Sequence, residues 1–206
     1  MKNAVYSFGL LLLLTFPALG QGRFSVAPTY SFIYGHLDYR FSRESSSFAV
    51  NGPSYGSAAG LTSRYHITPK LDVSVGLLYS KITEYRRSES NSTLGSPGNY
   101  TYVSSRSTDT RTSDHFRFPV LINYTTSSNR LSPYFSVGAL FDYQLGQFDQ
   151  RTIKTSGLVA AGIKYRINPG LSLVVQPTGS YLFEKSFAQK FLSYQLGLQT
   201  QLVWRF

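Results

Sequence analysis

The chain has 206 residues, a formal net charge of +10 and no cysteine, which excludes a disulfide framework and any thiolate metal site. Tyr (16) and Phe (15) are abundant beside a single Met and a single Trp, a bias toward strands. The basic residues are scattered, which argues against nucleic acid and for attraction to anionic lipid headgroups.

The N-terminus reads Lys2, an apolar run centred on Leu10 to Leu14, then Ala18-Leu19-Gly20. That order is the signature of a cleaved signal peptide, residues 1–20, which leaves 21–206 as one domain. The run is too short to span a bilayer as a helix. Mean hydropathy is −0.14, a value that a soluble protein and a barrel with a polar lumen share.

Eight segments of period-two alternation follow, each with an apolar and a polar face. The first, about 23 to 36, shows Phe24, Val26, Pro28, Tyr30, Phe32 and Tyr34 on one face. The second, about 55 to 67, carries Tyr55, Leu61, Tyr65 and Ile67 opposite Arg64 and His66. The third, about 71 to 82, carries Leu71, Val73, Val75, Leu77 and Tyr79 opposite Asp72. The fourth, about 115 to 125, sets Phe116, Phe118, Val120, Ile122 and Tyr124 against Arg117 and Asn123. The fifth, about 133 to 145, has Asp142 behind Phe135, Val137, Phe141 and Tyr143. The sixth, about 155 to 167, has Lys164 and Arg166 behind Val159, Ile163, Tyr165 and Ile167. The seventh, about 171 to 184, has Gln176 and Glu184 behind Leu171, Leu173, Val175, Tyr181 and Phe183.

Lys81 is the one charge on these apolar faces. Aromatic pairs such as Phe24 and Tyr34, or Tyr55 and Tyr65, stand ten residues apart in one segment. At ~3.3 Å per residue and a tilt of ~40°, that interval rises about 25 Å, the height of a membrane barrel's apolar band. Short turns at 68–70, 126–132 and 168–170 alternate with mostly longer connections at 37–54, 82–114, 146–154 and 184–191. Short periplasmic turns and longer outer loops are the outer-membrane pattern. Loop 82–114, rich in Ser and Thr, is expected to be a solvated extracellular loop. Its Tyr85, Tyr100 and Tyr102 would either prolong a hairpin or meet a partner.

The final segment runs Tyr194 to Phe206, with Leu196, Leu198, Leu202, Trp204 and Phe206 on one face and Gln195, Gln199, Gln201 and Arg205 on the other. This ending, the corners Tyr65-His66-Ile67-Thr68-Pro69 and Tyr165-Arg166-Ile167-Asn168-Pro169, and Phe118-Pro119-Val120-Leu121 resemble the outer-membrane β-barrel family common in Bacteroidetes. Its architecture is similar to the small eight-stranded OmpA and OmpX type. The resemblance covers about 22 to 206. It implies an all-β, eight-stranded antiparallel up-and-down transmembrane barrel, exported to the outer membrane of a Gram-negative bacterium. It further implies contact with outer-membrane lipid and lipopolysaccharide, and an assembly signal in Leu202, Trp204 and Phe206 read by the barrel-assembly machinery.

The functional expectation is a non-enzymatic, monomeric barrel with a structural or surface-interaction role and no cofactor. The competing classes are a lipid A or phospholipid modifier and a narrow, porin-like channel for small solutes. No paired-His spacing or acidic cluster suggests a metal. No serine stands two residues from a histidine on an outward face, as lipid A deacylation by a barrel would want. A barrel of eight strands is filled by its own side chains, so Arg64, His66, Arg117, Asp142, Lys164, Arg166 and Arg205 are expected to form a lumen polar network. Base exceeds acid at the periplasmic end, where an anion could bind.

Overall fold

The computed structural model describes residues 23–43, 46–96, 99–145, 153–182 and 190–206. Eight strands follow in chain order: β1 (Phe24–Arg43), β2 (Ser46–His66), β3 (Leu71–Ser96), β4 (Asn99–Thr125), β5 (Leu131–Gln144), β6 (Ile153–Asn168), β7 (Leu171–Leu182) and β8 (Lys190–Arg205). Each neighbour pair is antiparallel, and β8 pairs back onto β1 from Arg205↔Ser25 to Lys190↔Arg40. The sheet is a closed barrel, as the alternation and the resemblance implied. The leader at 1–20, Phe183 and Glu184 lie outside the described residues.

Sidedness follows the alternation. Phe32, Leu61, Val137 and Leu196 project from the barrel with 53–60% of their surface exposed. Between them along the same strands, Ser31, Thr62, Ser136 and Gln199 point inward and are buried. A soluble sandwich would hide the first set and show the second. Aromatic side chains pair across strands at two levels of the outer wall. Phe24 meets Tyr65 at 5.1 Å and Tyr34 meets Tyr55 at 5.3 Å between ring centroids. Lys81 stands where this wall ends, directly across from Asp114 in the ladder, and Asp114 accepts a 2.8 Å hydrogen bond from the Tyr79 hydroxyl.

Strand lengths depart from the sequence expectation. The stretches 37–54 and 82–114, expected as loops, are mostly strand. β1 pairs β2 through to Arg43↔Ser46, and β3 pairs β4 without a register shift to Ser96↔Asn99. Polar Ser/Thr-rich sequence reads as loop because neither face is apolar. Here the ladder is supplied by continuation of a register already fixed in the wall, with cross-strand hydroxyl pairs Thr83–Thr112 (3.0 Å) and Ser88–Ser107 (2.7 Å). By contrast β5, β6 and β7 are short, at 14, 16 and 12 residues. The barrel therefore carries a tall four-stranded wall, β1–β4, on one side of its mouth.

Close strand approach depends on Gly162. A Cβ there would meet the Val175 carbonyl and sit 2.6 Å from the Cα of Gln176, so only glycine leaves room for the buried Gln176 side chain.

Candidate functional site: the lumen and its mouths

Side chains fill the lumen in layers. In the layer nearest the short turns, Arg64 of β2 is 2% exposed and donates to the Tyr134 hydroxyl and to Gln201 Oε1. Its guanidinium lies 5.3 Å from the Tyr134 ring centroid and 3.8 Å from Asp72 Oδ1. Asp72 also accepts a 2.7 Å bond from Asn123 Nδ2 and lies 3.9 Å from His66 Nδ1. His66 Nε2 meets Ser25 Oγ at 2.9 Å. A buried guanidinium is tolerable here because carboxylate, amide, hydroxyl and ring all converge on it.

Above that layer Gln176 Nε2 donates to Gln199 Oε1 at 2.7 Å. Then comes an apolar waist. Ile33, Leu78, Leu121 and Leu140 are each 3–6% exposed and point inward. They line, with Leu158, a residual void of about 30 Å³. The strict polar reading of the inner face needs correcting at this level. Leu78, Leu121 and Leu140 each follow or precede an outward apolar residue, so the alternation signal lapses there and the inward one is lost among its neighbours.

The upper layer joins β4 to β5. His115 Nδ1 lies 2.6 Å from Asp142 Oδ1, and His115 Nε2 lies 2.8 Å from Ser113 Oγ. Arg117 Nε is 3.4 Å from Asp142 Oδ2, and Arg117 donates to Gln195 Oε1 at 2.6 Å. His115 and Asp142 form part of the floor of an outward-opening vestibule of about 230 Å³, also lined by Lys154, Arg86, Tyr85 and Tyr194. Ser113 gives no signal in the sequence because it faces inward with His115, away from the lipid face.

Arg64, His66, Arg117 and Asp142 line the lumen in two networks separated by the waist. Lys164 and Arg166 are not joined to either by a described hydrogen bond, and Arg205 stands beside them. They line a separate cavity of about 260 Å³ at the short-turn mouth, with His66, Thr125, Ser127, Ser128, Asn129, Ser132 and Ser172. Arg166 is exposed and donates to the carbonyls of Ser128 and, at 3.5 Å, Asn129. Leu202, Trp204 and Phe206 stand on the lipid face, 41%, 62% and 60% exposed, with the last two rings stacked at 6.0 Å.

A further feature lies outside the lumen. β4 pairs β5 only from His115↔Gln144 downward, with one bond more from Leu145 N to Asp114 O (2.8 Å). Above it, Asn99 to Ser113 pair with β3 alone among the described residues, leaving one backbone edge of β4 open.

A closed antiparallel sheet with its oily side outward and ion pairs inside is a transmembrane β-barrel, because only closure satisfies every backbone group in hydrocarbon. The chain belongs to the outer membrane protein beta-barrel domain family, whose model matches residues 15–203. That membership points to the outer membrane of a Gram-negative cell. No curated protein sequence matches the chain.

Among solved structures it is similar to Neisserial surface protein A at 11% identity and a TM-score of 0.50, over 89% of this chain and 97% of that one. It also matches the outer membrane protein OprG of Pseudomonas aeruginosa at 11% identity and a TM-score of 0.47, over 90% and 96% of the two chains. A third match is Ail, the attachment invasion locus protein of Yersinia pestis, at 14% identity and a TM-score of 0.36, over 90% and 100%. At these identities the likeness is one of fold.

Proposed function

We propose that the protein is a non-enzymatic, monomeric surface-interaction barrel that binds an extended segment of a partner along the open edge of β4. It sits among outer-membrane lipid and lipopolysaccharide and reaches the membrane through the barrel-assembly machinery, which reads Leu202, Trp204 and Phe206. The observation that carries the reading is the run Asn99–Ser113, which among the described residues pairs with β3 alone and rises above the apolar wall. Unpaired N–H and C=O groups of an edge strand are a template for strand addition. This edge has no proline or bulge to blunt it.

Because Asp114 O accepts from Leu145 N, even-numbered residues of β4 direct their backbone groups to the open side. Thr108→Pro and Thr110→Pro therefore remove free donors while sparing the ladder to β3. Panning of a random-peptide phage library on the protein in nanodiscs tests the reading. Wild type should enrich strand-forming peptides that the double proline variant does not retain. Equal retention by both proteins, or no enrichment by wild type, would overturn it.

A second reading rests on Ser113, His115 and Asp142, which stand in the order nucleophile, base and orienting carboxylate at 2.8 and 2.6 Å. It assigns ester hydrolysis to the outer vestibule, with Lys154 and Arg86 as cations lining the same space. Covalent labelling by a fluorophosphonate that disappears in Ser113→Ala would support it. Absence of labelling in wild type removes it.

A further inference from the structure

The short-turn mouth of the barrel holds positive charge without a matching carboxylate. Lys164 and Arg166 line its cavity of about 260 Å³, and no Asp or Glu is among the described lining residues. The nearest acid in the lumen, Asp72, is already engaged by Asn123 at 2.7 Å and Arg64 at 3.8 Å. Lys164 is half-buried, projects inward from β6 opposite Ser132 and Val174, and makes no described hydrogen bond or ion pair with a carboxylate. A half-buried Lys164 beside the exposed Arg166 is repelled by it, and an anion from solution offsets that cost.

The rest of the lining suits such a guest. Ser127, Ser128, Ser132, Ser172 and Thr125 contribute hydroxyls, and Asn129 an amide. Arg166 is steadied over the mouth by the carbonyls of Ser128 and Asn129. Ser127 and Ser132 are mutually bonded at 3.0 Å, which fixes the turn beneath.

From these placements we infer that the mouth is a binding site for a soluble, multivalent oxyanion, such as a phosphate or a polycarboxylate. The site faces the side that carries the short turns, opposite the β4 edge. It is independent of the surface reading, and either can fail without the other.

Isothermal titration of the full protein in an uncharged maltoside detergent tests the inference, with inorganic phosphate, citrate and short-chain phosphatidylglycerol as probes. Phosphate or citrate should bind saturably at one site, more weakly as sodium chloride is raised. Lys164→Ala and Arg166→Gln should each weaken binding by about tenfold or more. Arg166 is exposed, so its variant keeps the test valid even where Lys164→Ala disturbs the barrel. Unchanged affinity in Arg166→Gln, no saturable binding by either free anion, or binding of the lipid alone would overturn it.

Discussion

Asn123 Nδ2 donates to Asp72 Oδ1 at 2.7 Å in the same layer in which Arg64 approaches that oxygen at 3.8 Å. One carboxylate thereby serves an amide from β4 and a guanidinium from β2. Both side chains are almost wholly buried, so neither water nor a mobile loop can take its place. Removing the acid strands the base. Asp72→Ala should destabilise the folded barrel by about 3–5 kcal/mol, the range for orphaning a buried charge. Urea unfolding in lipid vesicles measures this. A loss below about 1 kcal/mol would mean that Gln201 and Tyr134 suffice to hold Arg64.

The outward wall makes a depth-dependent prediction. Val137 is 55% exposed on the apolar belt and Tyr102 is 68% exposed above it on β4. Val137→Arg should cost about 2–4 kcal/mol and Tyr102→Arg close to nothing. Parallel unfolding titrations in vesicles compare the two. Equal effects would contradict the placement of the hydrocarbon boundary near Tyr79 and Asp114.

The waist predicts a barrier. With Ile33, Leu78, Leu121 and Leu140 packed around about 30 Å³, there is room for a water or two but no file of them. Wild type should show no steady conductance in a planar bilayer. Leu78→Ala combined with Leu121→Ala should lower stability by several kcal/mol, about 2–5 per site, and raise conductance above wild type. Steady ion current through wild type would show that the waist opens.

Assembly provides a kinetic prediction. Trp204 and Phe206 close the lipid face of β8, the strand that seals the barrel against β1. Trp204→Ala with Phe206→Ala should reduce the folded, membrane-inserted fraction in cells. Refolding of the purified variant into thin vesicles should be affected much less. Unchanged cellular yield would detach these rings from the assembly signal.

Much of the wall was legible because a bilayer imposes a strict rule on alternate residues. Phe24 to Tyr34 and Leu196 to Phe206 obey it, and their strands lie where the pattern placed them. Above the membrane that rule lapses. Thr101 to Thr112 face water on both sides, and a chain wetted on both sides leaves no periodic trace even when fully paired. The lumen was legible by charge and not by layer. Arg64 and Arg117 were expected inside, but their separation by Leu78 depends on how far each strand is sheared past the next, which no single strand encodes. Ser113 was invisible for a related reason. Its importance comes from Asp142, twenty-nine residues away on β5, through His115.

The ladder between β3 and β4 keeps one register from Leu71↔Tyr124 to Ser96↔Asn99. A hairpin built this way behaves as a single stiff beam whose lower end is clamped in lipid. Tension applied near its tip runs along the strands and loads many rungs in parallel, so it is resisted in shear and not unzipped one rung at a time. A ligand held there would pull on the whole cylinder, and the bilayer, more than the hairpin, would yield first.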